Sequence, residues 1–139
     1  MINLKRLDNK LNWLPATAVL LVGLALFPYG WLAERWFLFG WVTDFVFGTE
    51  LAHVIGHFIL FAMVGTAVLL TFPRLQIRPR LYVGLIVLVG FLQEVLQLTT
   101  FKERPFAANE LFDMIVDVLG ALAAFYWLTR NQRLEIRDR

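Results

Sequence analysis

The chain has 139 residues, of which 59% are hydrophobic and only 17% charged. That is too apolar for an ordinary soluble domain, in which charged residues make up about a quarter. Cysteine is absent, which excludes disulfides and thiolate chemistry. The net charge is only +2, and the basic residues sit at segment ends, not among interleaved aromatics, so nucleic acid is set aside as a partner. The lipid bilayer is the expected surrounding.

Spanning a hydrocarbon core takes about 20 apolar residues. Four segments approach that length: residues 14–32, 51–72, 81–98 and 111–128. Lys5, Arg6 and Lys10 precede the first, as in a signal peptide, but no small-x-small cleavage site follows it, so it is read as a retained helix. Between the first and second segments runs Trp36-Phe37-Leu38-Phe39, then Trp41-Val42 and Phe45-Val46-Phe47. This stretch is too short to span and too apolar for water, which predicts a short interfacial or re-entrant helix. Pro73, Pro79 and Pro105 fall between spans, where a missing donor does no harm, and Asn109 is placed to cap the fourth helix. The third and fourth segments are the shortest, and both carry acidic residues. The expected fold is one all-α domain over residues 1–139, a four-transmembrane-helix bundle.

Loop charge sets the expected orientation. Ten basic residues precede the first span, join the second to the third, or follow the fourth, whereas the other two loops hold three (Arg35, Lys102 and Arg104). The positive-inside rule then puts both termini in the cytoplasm of a multi-pass cell-membrane protein. Trp13, Trp31, Trp36, Trp41, Tyr82, Tyr126 and Trp127 gather at span ends, where amphipathic rings favour the headgroup region.

Ionisable groups within a bilayer cost a few kcal/mol each, so every one needs a reason. The second span carries His53 and His57, one turn apart on one face. The third ends with Glu94 and Gln97, and the fourth begins with Glu110, Asp113 and Asp117. Lys102 and Arg104 lie in the loop between them. His57 and Asp117 fall about 9 Å from the outer ends of their helices and Glu94 about 6 Å. Below them come small residues, Gly90, Gly120, Ala121 and Ala124, of the kind that lets helices approach closely in lipid. These placements predict a polar pocket open to the outer surface and floored by tight packing.

Each group has a plain explanation by itself. His57 can bond between helices, Glu94 can stay protonated, Asp113 can cap a helix at the interface, and Gln97 can be solvated. Taken singly these suffice; none explains why three helices agree on one depth, which favours a shared site. The His53/His57 spacing also suits a divalent metal, but sequence fixes no third ligand, so no metal or cofactor is assigned.

These residues resemble motifs of the VanZ-like family of small bacterial membrane proteins. The matching pieces are His57-Phe58, Glu94-Val95-Leu96-Gln97, Arg104, and Asp113 through Asp117 to Gly120, within about residues 50–125. The family pattern runs His-Phe, Glu-x-x-Gln, Arg, then Asp-x-x-x-Asn-x-x-Gly. The namesake is associated with resistance to the glycopeptide teicoplanin, so the resemblance implies a cell-envelope role linked to glycopeptide tolerance. Two departures matter. His53-Val54 stands where members often carry Asp-Lys, and Asp117 replaces the usual asparagine. The added carboxylate and the lost lysine make the pocket more acidic, and resistance itself is not carried over.

Three functions fit these residues. In the first, the pocket binds the head group of an envelope lipid or peptidoglycan precursor, with Lys102 and Arg104 attracting phosphate and His53, Gln97, Glu110 and Asp113 completing the contacts. In the second, it is a membrane-embedded acid–base or metal-dependent enzyme acting on a lipid-linked phosphate or ester, with His57, Glu94 and Asp117 as the catalytic groups. No serine is present, so a covalent route would run through His, Asp or Glu. In the third, the cluster is a structural staple or partner module. Four short helices leave little room for alternating access, so transport would require a homo-oligomer.

Overall fold

A computed structural model describes the backbone of residues 4–100 and 108–137 and the side chains of 13–29, 31–46, 48–96 and 111–131. Six α-helices follow in order: α1 (Leu4–Ala25), α2 (Tyr29–Arg35), α3 (Phe37–Phe47), α4 (Glu50–Thr71), α5 (Pro79–Thr100) and α6 (Ala108–Arg137). A 3₁₀ turn, Pro73–Ile77, joins α4 to α5. Among the described residues there is no strand.

Among the described residues, three helices are long and apolar enough to cross a membrane: Glu50–Thr71, Pro79–Leu96 and Leu111–Asn131. Their side chains agree, since Leu51, Ile59, Leu88, Phe91, Leu119 and Tyr126 are all exposed. An apolar surface of that extent is stable only against lipid or other protein. The third and fourth expected spans, short on hydropathy alone, gain length from polar residues that continue the helices to Thr100 and Arg137.

The expected first span does not form as one helix. α1 ends at Ala25, three residues before Pro28, and α2 starts afresh at Tyr29. Proline disfavours helical backbone in the residue before it and offers no N–H to the turn, so the apolar run 14–32 is cut. The apolar part of α1, Trp13–Ala25, is 13 residues, about 20 Å of helix. It packs along α4, and Thr71 Oγ1 donates to the Leu14 carbonyl at 3.2 Å.

The aromatic stretch after α2 is helical as expected. α3 runs 11 residues, about 16 Å, and exposes Phe37, Leu38, Trp41 and Phe45. Trp41 and Phe45 stack at 5.7 Å, and Tyr29 of α2 stacks on Phe39 at 6.4 Å. Thr49 caps α4, its hydroxyl accepting from the Ala52 N–H at 3.2 Å. Asn109 is not the residue before α6: the helix begins at Ala108 and takes Asn109 into its first turn.

α4 and α6 form the closest pairing, with α5 against α6 and α1 against α4. Side-chain pairs between α4 and α6 join residues 60 apart at two successive turns, so the two helices run parallel and in register. Glycines allow the close approach. A Cβ on Gly120 would run into the Phe58 carbonyl, and one on Gly65 would meet the Tyr82 hydroxyl and Ala121. The Tyr82 hydroxyl donates to the Ala121 carbonyl at 2.8 Å, tying α5 to α6 within a core of Phe61, Val64, Leu69 and Ile86. The tight packing predicted beneath the polar groups is present.

Candidate functional site

His53 and His57 lie one helical turn apart on α4, and Asp113 and Asp117 one turn apart on α6. Parallel register brings the two ladders face to face. His57 Nδ1 lies 2.8 Å from Asp117 Oδ1, and His53 Nε2 lies 3.3 Å from Asp113 Oδ2. The rings of His53 and His57 are 4.5 Å apart. Side-chain exposure falls along the ladder, from 41% for His53 and 14% for Asp113 to 8% for His57 and 1% for Asp117. The cluster is therefore open at the end of the bundle and sealed toward the middle.

Buried polar atoms mark the sealed end. Asp117 Oδ2 has no hydrogen-bond partner among the described residues, and it faces Gly90, where an added Cβ would stand 3.3 Å away. Glu94, on α5, is 2% exposed and within electrostatic reach of the His57 ring. α5 continues six residues past Glu94, which puts the carboxylate about 9 Å from that helix end. Three helices thus deliver His57, Glu94 and Asp117 to one layer, as the sequence predicts.

Gln93 is a buried polar group that sequence reasoning missed. It is 6% exposed, and its Oε1 has no hydrogen-bond partner among the described residues. The Glu-x-x-Gln spacing drew attention to Gln97 and away from its neighbour. The side chains of Gln97 and Glu110, and all of Lys102 and Arg104, lie outside the described residues. Asp113 pairs with His53 across the helix interface, which is more than capping its own helix.

Chemically the layer combines two imidazoles with three carboxylates, exposed at its His53 end and buried at its Asp117 end. A carboxylate at 2.8 Å from one ring nitrogen orients an imidazole and leaves the other nitrogen for a proton, a ligand or a metal. An apolar groove lined by Leu14, Leu21, Met63, Leu70 and Trp127 lies apart from the cluster, between α1, α4 and α6. Its lining carries none of the ionisable groups.

The described residues define a class, an all-helical protein with three helices suited to crossing a bilayer. Comparison with protein-family models, curated proteins and solved structures returned no match to this chain.

Proposed function

We propose that this is a multi-pass protein of the bacterial cell membrane, VanZ-like in its motifs, whose polar layer engages the head group of an envelope lipid or peptidoglycan precursor on the outer leaflet. The observation that carries the reading is the exposure gradient along the paired ladders, from His53 at 41% to Asp117 at 1%. A purely structural staple needs no open end. A binding site at the headgroup boundary does.

In this reading α1 is the fourth spanning element, α3 lies in the interface, and both termini are cytoplasmic. Lys102 and Arg104, which follow α5 in sequence, supply the phosphate contacts. The test is to profile envelope lipids and cell-wall precursors that copurify with wild-type, Glu94→Gln and Arg104→Ala proteins. A lipid enriched with wild type and depleted in both variants is the expected result. Equal lipid profiles for all three would remove the proposal. Teicoplanin susceptibility of cells expressing each protein checks the link to glycopeptide tolerance.

A second reading, an acid–base enzyme on a lipid-linked phosphate or ester, is favoured by the His57–Asp117 bond at 2.8 Å. An imidazole held by a carboxylate is the arrangement a general base needs. Product release from lipid-linked phosphates or esters by wild type, and not by His57→Ala, supports it. Absence of release by wild type removes it.

A further inference from the structure

We propose that His53, His57 and Asp113 bind one divalent transition-metal cation of the zinc class, with Asp117 orienting His57 from behind. The sequence supplies two histidines at the right spacing and leaves the third ligand open; the parallel register of α4 and α6 brings in Asp113.

The two His–Asp pairs differ in a way that points to this division of labour. The His57–Asp117 separation of 2.8 Å is that of a strong, charge-assisted hydrogen bond. The His53–Asp113 separation of 3.3 Å is that of a long, weak hydrogen bond. It matches two donor atoms on one tetrahedral zinc, which stand about 3.4 Å apart when both bonds are near 2.1 Å. One donor atom from each of His53, His57 and Asp113 lies within 4.8 Å of the others, so a small closure completes the set.

The second observation is Asp117. It is 1% exposed, its Oδ1 holds His57 Nδ1, and its Oδ2 has no hydrogen-bond partner among the described residues. With Nδ1 engaged, His57 presents Nε2 as its lone-pair nitrogen. A carboxylate behind a histidine ligand is the usual outer support of a zinc site, fixing the tautomer and the ring orientation. Charge favours a cation as well: Asp113, Asp117 and Glu94 bring three carboxylates to the layer, and one divalent cation offsets two of them. Compensation matters where lipid surrounds the site, because an uncompensated ion there is expensive.

Two histidines and one carboxylate leave a fourth position open toward the exposed end, the ligand count of catalytic zinc sites. If the headgroup reading holds, a phosphate oxygen fits that position; metal binding itself does not depend on it.

The test uses full-length protein in detergent, with any purification tag removed and metals stripped by a chelator. Zn²⁺ is titrated against a chromophoric competitor, and Co²⁺ is added separately as a spectroscopic probe. The expected result is one Zn²⁺ per chain and intense visible bands of four-coordinate Co²⁺. Asp117→Asn should weaken binding by about 10–100-fold, and His53→Gln and Asp113→Asn by more. Asp44→Asn, an exposed carboxylate on α3, should leave it unchanged. His53 is half exposed at the helix end, so His53→Gln keeps the test meaningful if His57 variants fail to fold. No zinc retained, or zinc binding insensitive to His53→Gln and Asp113→Asn, overturns the proposal. The titration contains no envelope lipid, so its failure is distinct from a failure of headgroup binding.

Discussion

Two His–Asp pairs of identical composition sit one helical turn apart between the same two helices, yet their surroundings divide them. His57–Asp117 is short and sealed, with 8% and 1% of the side chains exposed, whereas His53–Asp113 is longer and its histidine is 41% exposed. The difference follows from helix position. His53 is three residues from the start of α4, where the bundle opens, and His57 lies a turn deeper, just before the tight contact of Phe58 with Gly120. The deeper pair is placed to contribute stability, and the outer pair stays accessible.

The largest expected effect breaks the deep pair. Asp117→Ala leaves the His57 ring buried without its carboxylate and should cost about 3 kcal/mol, read as lost thermal stability in detergent. A double-mutant cycle sharpens the contrast. His57 with Asp117 should couple at the upper end of interhelical bonds in membranes, about 1.7 kcal/mol, and His53 with Asp113 at or below about 0.6 kcal/mol, because solvent screens the exposed ring. Equal coupling in both pairs would erase the distinction.

Next comes the packing that holds the register. Gly120→Val drives a side chain into the Phe58 carbonyl and should destabilise by about 1–3 kcal/mol, with the sealed pair disrupted alongside. Tyr82→Phe removes the 2.8 Å bond to the Ala121 carbonyl and should cost about 1 kcal/mol without touching zinc affinity. The smallest effect is expected from Phe45→Ala. That ring is 79% exposed on α3, and thermal stability in detergent should change by no more than about 0.5 kcal/mol.

The agreement in depth among His57, Glu94 and Asp117 was readable from sequence, because rise per residue and alternating helix direction fix height. Which residue meets which was not readable. Rotation about the helix axis decides whether His57 faces Asp117 or Glu94, and the spacing of charges allows both. The aromatic stretch around Trp41 was readable as a short helix, since its length and composition suit neither a span nor a hydrated loop. The break in the first apolar run was missed, although Pro28 was visible: hydropathy is continuous from residue 14 to 32, and only backbone chemistry divides it. Gln93 was missed because a glutamine beside a glutamate looks like part of the same polar step.

Everything in the site depends on α4 and α6 lying parallel with His53 beside Asp113 and His57 beside Asp117. The chain has no native cysteine, so cysteine pairs can be placed on a clean background. Cross-linking in membranes with a short bifunctional thiol reagent is the most direct measurement. The double variants His53→Cys/Asp113→Cys and His57→Cys/Asp117→Cys should each link within one chain, and a pair displaced by two turns, Leu60→Cys with Asp113→Cys, should not. Linking of the displaced pair with failure of both registered pairs would contradict the shared layer and the functions drawn from it.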